Sequence, residues 1–272
     1  MFDKSFLFIP FNKIDYFYNE SIIQSDVIIV DFEDSVEFKL NDSNFDEIKR
    51  ALKHISIKKL IARIGADDYF EFVKSFGLDS FTGVMIPKVI NKNEIIEVIN
   101  DLLSKEKKVY LLIESARGLL DLQTLISKYM IHGVFFGSED YISNLNAIRS
   151  EANLHYARAV IVNLSKAYNI PCYDTIYPFL NDACGLKQEI KLAADMGFDG
   201  KMAIHPRQIC MINEIFNFTP SKISEYKTLI NDYNIYTKNN NTSVMVFNGT
   251  LIEPPHIKQM KSIIEKFEGE SI

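Results

Sequence analysis

The sequence predicts an α/β protein, a TIM (β/α)8 barrel with a C-terminal strand and helix extension. Eight short apolar runs recur over residues 5–205, and most end in a charged or polar residue. Helix-like stretches alternate with them, the order expected when parallel strands close into a barrel with catalytic groups at their carboxyl ends. The strand ends read VDFED (30–34), ARIG (62–65), IPK (86–88), IES (113–115), GSED (137–140), YDTIYP (173–178) and AIHP (203–206). Eight β-then-α units in order favour a barrel over a long open sheet. Gly-x-Gly-x-x-Gly is absent, so a dinucleotide-binding sheet has no fingerprint here.

Phe6–Ile9 is the first strand, with a helix over Asp15–Gln24. Val27–Val30 is a continuous β-branched run, the pattern of a parallel strand buried on both faces. Phe45, Ile48, Leu52 and Ile55 fall at helical spacing, and strand three follows at Leu60–Ile64 with its helix at Tyr69–Phe76. Val84–Ile86 is strand four, and Asn93 is placed to cap a helix with Ile95, Ile96, Ile99, Leu102 and Leu103 on its apolar face. Val109–Ile113, Val134–Phe136, Pro171–Ile176 and Lys201–Ile204 supply the remaining strands. Their helices are read at Leu119–Tyr129, Leu154–Tyr168, Gly185–Met196 and through Met211–Phe216.

The barrel is assigned to residues 1–218 and a capping or oligomerising extension to 219–272. In the extension, Lys238–Asn241 reads as a polar linker and Val244–Phe247 as a strand. Asn248-Gly249 then makes a tight turn before a helix from Pro254 to Phe267. At 272 residues and 47% hydrophobic, the chain has ample material for one barrel core. A net charge of −6 gives no electrostatic reason to bind nucleic acid. No run approaches the ~18 apolar residues of a membrane span, and the first ten residues lack a signal-peptide layout. Three cysteines in no CxxC spacing fit a reducing, cytoplasmic setting.

Glu114 and Asp140 end strands five and six. Two carboxylates at neighbouring strand ends can share one hard cation such as Mg2+, with substrate and water filling the other positions. Glu139, next to Asp140, is expected on the opposite face. Arg63 ends strand three, where its fork suits a substrate carboxylate or, alternatively, an ion pair with the acids of VDFED. Crowding among Asp31, Glu33 and Asp34 makes one of them a general base or a residue supporting the metal ligands. Lys88 is placed to touch substrate; Lys201 and His205 read as structural. Nucleophile elbows and histidine-rich zinc spacings are absent. A metal and an arginine clamp suit a substrate with adjacent carboxylate and carbonyl or hydroxyl oxygens.

These residues in this order resemble the HpcH/HpaI aldolase and citrate lyase family, on its citrate lyase β-like side. The matching stretches include SFLFIPFN (5–12), VIIVDFEDSV (27–36), GVMIPK (83–88), LLIESARGL (111–119), FFGSEDY (135–141), YARAVIV (156–162) and GFDGKMAIHPRQI (197–209). The resemblance implies a metal-dependent lyase that cleaves, or forms, citryl-, malyl- or citramalyl-CoA, with a 2-oxo acid and an acyl-CoA as the other partners. It implies Mg2+, or Mn2+, on Glu114 and Asp140, and Arg63 on the oxo-acid carboxylate. It puts Asp34 beside the site, backbone N–H groups around Gly137 and Ser138 in the oxo-acid pocket, and a homo-oligomer, a trimer, as the assembly. An acyl carrier protein can replace CoA in such chemistry.

Departures from the family pattern lie outside that core. Phe11 stands where a glycine is common and is expected to add bulk at the mouth. Gly65 replaces an asparagine. Glu253 replaces the aspartate that the family's tail carries toward a neighbouring subunit's site. Two rival readings remain: a CoA-independent pyruvate-type aldolase, and a non-catalytic oxo-acid-binding regulatory subunit.

Overall fold

The computed structural model describes residues 3–18, 24–33, 45–55, 59–217 and 220–269. The chain divides into two compact units, residues 2–216 and 217–272. In the first, eight parallel strands close on themselves: β1 (Ser5–Pro10), β2 (Val27–Asp31), β3 (Lys59–Arg63), β4 (Gly83–Ile86), β5 (Lys108–Ile113), β6 (Gly133–Phe136), β7 (Cys172–Asp174) and β8 (Gly200–Ala203). Closure is made by β1 on β8, with Phe6 opposite Met202.

Side chains alternate across each strand, and the alternation sorts them into two cores. Phe6, Val27, Ile29, Ile61, Met85, Tyr110, Leu112, Phe135, Tyr173 and Met202 fill the barrel interior. The rings of Phe6, Phe135 and Tyr173 pack with centroids 4.3–4.9 Å apart. The intervening residues, such as Leu7, Ile28, Val30 and Leu111, face the surrounding helices. Those helices are α1 (Phe45–His54), α2 (Tyr69–Ser75), α3 (Asn93–Ser104), α4 (Ala116–Lys128), α5 (Ser138–Asn144), α6 (Glu151–Ala167), α7 (Ala183–Met196) and α8 (Ile209–Phe216).

Several boundaries depart from the sequence reading. Between β1 and β2 the described residues form a short 3-10 helix, Ile14–Tyr18, in which only Phe17 among the aromatic residues is buried while Tyr16 and Tyr18 stay exposed. That segment lacks the apolar stripe that stabilises an α-helix against a core. Asn93 is the first helical residue of α3, and the cap position is Lys92, without a side-chain cap. α5 has no counterpart in the sequence reading. β7 ends at Asp174; beyond it Thr175 Oγ1 bonds to Ser138 of α5 and the Ile176 carbonyl accepts from an arginine.

The second unit is built from α9 (Pro220–Asn240), the hairpin β9 (Met245–Phe247) and β10 (Thr250–Ile252), and α10 (Pro254–Glu268). Of Lys238–Asn241, read from sequence as a polar linker, residues 238–240 are instead the last turn of α9 and only Asn241 lies beyond it. Asn248 and Gly249 both have positive φ, 49° and 77°, the backbone that a two-residue hairpin turn requires. Tyr233, Met245, Ile252 and Ile257 make its small core. Among the described residues, no helix is long and apolar enough to cross a membrane.

Candidate active site

At the carboxyl ends of the strands lies a cavity of about 300 Å3. Phe8, Asp31, Arg63, Leu112, Glu114, Gly137, Thr175, Met202 and Ile204 line it. Each continues the alternation that fills the barrel interior, so the chain's period of two delivers these residues to the mouth. Ser138, Glu139 and Asp140, from the first turn of α5, complete one wall.

Glu114 follows β5 and is only 5% exposed. Its Oε2 accepts the Lys88 backbone N–H at 2.9 Å, and its Oε1 lies 4.0 Å from Arg63 Nη1. Burial pushes its carboxyl up to about 8, and the charges of Glu33 and Asp140 add to the rise; the Lys88 N–H and Arg63 oppose it. Gly137 makes room for this side chain. A Cβ there would fall 2.4 Å from Glu114 Cγ and 2.9 Å from its Oε1.

Lys88 is exposed and does not line the cavity, contrary to the substrate contact expected of it. Its φ of 51° turns the backbone so that its N–H meets Glu114, while Nζ pairs with Glu33 Oε1 at 2.7 Å. A left-handed non-glycine residue is uncommon and costs about 1 kcal/mol. Here it is spent on aiming an amide at a cavity carboxylate.

Arg63 is bound within the protein through its fork. Nε and Nη2 donate to Asp31 Oδ1 and Oδ2 at 2.8 and 2.7 Å, and Nη1 lies 3.4 Å from Glu33 Oε2. The ion pair with the VDFED acids, one of two alternatives open from sequence, is therefore present. The guanidinium also lies over the Phe8 ring at 5.1 Å. Asp34 falls outside the described residues.

Asp140 belongs to the first turn of α5, a correction to the strand-end position read from sequence, and is exposed at the cavity. Glu139 lines the same cavity instead of facing away, because consecutive residues of a helix differ by about 100° and not by the 180° of a strand. The amides assigned to the oxo acid also need correcting. Gly137 N–H donates to Ile113 O at 2.9 Å and Ser138 N–H to Thr175 Oγ1 at 3.1 Å. Phe11 does not line the cavity either; it stacks on Phe32 at 5.3 Å, outside the interior parity.

Behind this wall lies an ionic network that the sequence reading missed. Asp174, fully buried, accepts from Arg158 Nε and Nη2 and from Lys201 Nζ at 2.7–3.1 Å. Lys201 also reaches Glu189 Oε1 at 2.8 Å, and Glu189 Oε2 accepts from Arg149 at 2.8 Å. The two cations hold the Asp174 carboxyl below its ordinary range despite its burial, which opposes them. Lys201 is structural, as read from sequence. His205 caps a short 3-10 turn, its Nδ1 accepting the Arg207 N–H at 3.1 Å.

A metal ion fits the donor set. Glu114 and Asp140 repel one another across one cavity, and two carboxylates with open positions around them suit a hard cation that keeps its waters. Among the described residues, no group of three or more His, Cys, Asp or Glu side chains forms a closed cage.

A model of the HpcH/HpaI aldolase/citrate lyase family matches residues 4–206. The chain belongs to that family. By family it is a carbon–carbon lyase. Among its curated HpcH/HpaI relatives, the citrate lyase subunit beta of Haemophilus influenzae is 28% identical, over 97% of this chain and 96% of its own length. The mitochondrial citramalyl-CoA lyase of Rattus norvegicus is 26% identical, over 96% of this chain and 85% of its own length. Of solved structures, RipC from Yersinia pestis is 27% identical with a TM-score of 0.65, covering 81% of this chain and 98% of its own. CitE from Mycobacterium tuberculosis, in complex with magnesium, acetoacetate and coenzyme A, has a TM-score of 0.74 and covers 97% of both chains. At 21% identity, CitE shows the shared fold alone.

Proposed function

We propose that this protein is a Mg2+-dependent lyase, Mn2+ serving as well, that cleaves or forms a 3-hydroxy-3-carboxyacyl-CoA type thioester. The class comprises citryl-, malyl- and citramalyl-CoA, and the products are a 2-oxo acid and an acyl-CoA or its acyl carrier protein counterpart. The observation that carries this reading is the meeting of Glu114, Asp140 and Arg63 at one cavity in a member of this family. The names of its curated relatives support the thioester.

Glu114 and Asp140 would hold the metal. When bound, Mg2+ supplies a Lewis acid that lowers the pKa of a chelating substrate hydroxyl. Arg63, kept in place by Asp31, offers its charge to the oxo-acid carboxylate. The Gly137 and Ser138 amides being bound within the protein, the backbone N–H groups of Glu139 and Asp140 would receive the other oxygens of that group. The hydroxyl proton is assigned to Asp34, one of the crowded VDFED acids and the one that the resemblance puts beside the site. The bond between the carbinol carbon and the carbon next to the thioester then breaks. Its electron pair passes into the thioester enolate, and the carbinol carbon becomes the ketone of the oxo acid. Protonation of the enolate carbon gives the acyl-CoA. Glu253 completes the site of a neighbouring copy in a cytoplasmic homotrimer, again on the strength of the resemblance.

The test is release of 2-oxo acid, trapped as its phenylhydrazone, from malyl-, citramalyl- and citryl-CoA. Release that needs Mg2+ and is lost in Glu114→Ala and Asp140→Ala supports the reading. Equal turnover in the double variant, or turnover only of free hydroxy-oxo acids without CoA, overturns it.

A further inference from the structure

Arg149 lies in the loop between α5 and α6, and its guanidinium joins three parts of the barrel mouth. Nη1 donates to Ser138 Oγ and Glu139 Oε1, at the start of α5. Nη2 donates to the Ile176 carbonyl after β7 at 3.3 Å and to Glu189 on α7 at 2.8 Å. The Arg149 side chain is 15% exposed; its bond to Glu189 is shielded from water, whereas Glu139, 51% exposed, meets it at the solvent edge of the mouth.

α5 has seven residues and no side-chain cap. So short a helix has little stability of its own and takes its orientation from tertiary contacts. Thr175 holds the Ser138 N–H at 3.1 Å and its Oγ at 2.7 Å, and Arg149 holds the outer side. The rotation of this turn matters because Glu139 and Asp140 are adjacent acids that both line the cavity. About 100° of helical rotation separates them, so the orientation of this turn decides which carboxylate faces Glu114.

We propose that Arg149 is a positioning residue that selects between these two acids: by engaging Glu139 it leaves Asp140 to pair with Glu114 around a divalent cation. This rests on the metal reading under Proposed function. The selection works through charge as well as geometry, since an unneutralised Glu139 would add a third carboxylate to a site built for two.

Mn2+ binding to the full-length protein, followed by calorimetry and by the electron paramagnetic resonance of the ion, tests it. Glu139→Gln should bind Mn2+ within about twofold of the native protein. Arg149→Gln should lose about tenfold or more in affinity, the size found when groups supporting metal ligands are removed. The double variant Arg149→Gln/Glu139→Gln should recover most of that loss, because the competing carboxylate is gone. Native affinity in Arg149→Gln overturns the inference. So does a double variant as weak as Arg149→Gln, which makes Arg149 a mere scaffold. Should Arg149→Gln fail to fold, Arg149→Lys, which keeps the charge but loses the fork, takes its place: it should bind Mn2+ more weakly than the native protein and recover when Glu139→Gln is added, and indifference to that addition overturns the inference. A native protein that binds no Mn2+ overturns the metal reading itself, and this inference with it.

Discussion

A Cβ on Gly137 would lie 2.4 Å from Cγ of Glu114. The glycine after β6 is thus required by the acid after β5, and the two residues are one device: an open backbone that lets a buried carboxylate reach the cavity. Gly137→Ala should push Glu114 aside. Overpacking of this kind costs about 1–3 kcal/mol, and a shift of about 1 Å at a reacting group costs roughly 10²-fold in rate. Chemical denaturation and Mg2+-dependent turnover measured on the same preparation check both numbers.

Lys88 acts through its amide. Glycine at that position keeps the N–H to Glu114 and suits the positive φ, while the ion pair it loses with Glu33 starts from an exposed lysine and is worth about 0–1 kcal/mol. Lys88→Gly should therefore keep turnover within about threefold, ~0.6 kcal/mol. A tenfold rise in KM would return its side chain to the substrate.

Asp31 and Arg63 form a fork whose two bonds are 2.7 and 2.8 Å long. Asp31→Asn removes the charge that orients the guanidinium. We expect a raised KM for the oxo acid in the condensation direction with a smaller change in kcat, as the proposed contact of Arg63 with the carboxylate rather than with the breaking bond requires. Initial-rate kinetics against the oxo acid check this split.

Asp174 contributes to the acid limb of the stability profile. Its folded pKa lies below the ordinary 3.8 because Lys201 and Arg158 face it. The stabilisation is therefore fully present above the unfolded value and is lost as pH falls through it toward the folded one. Asp174→Asn leaves two buried cations under-paired and should cost roughly 3–5 kcal/mol. It should also flatten the acid limb of the stability profile below about pH 4, as read from urea midpoints across that range.

Much of this was legible in the sequence. All eight strands follow from apolar runs, and the period of two that fills the interior with Phe6, Ile29, Ile61 and Leu112 also points Asp31, Arg63 and Glu114 into the cavity. Asp140 was placed on a strand because GSED directly follows an apolar run; the helix it starts is only seven residues long and has no side-chain cap to announce it. Arg149 gave no signal, since its partners lie 10, 11, 27 and 40 residues away and a loop arginine has no periodicity. α9 was missed for a related reason: only Ile223 and Tyr233 are buried along its 21 residues, too few for an apolar stripe.

The most direct test of the central claim is a crystal structure of the protein soaked with Mg2+, CoA and an oxo acid such as glyoxylate or oxaloacetate. The metal is expected within about 2.1 Å of carboxylate oxygens from both Glu114 and Asp140, with the oxo acid completing its shell beside Arg63. An oxo acid bound elsewhere, or a cation that avoids either carboxylate, would contradict the account.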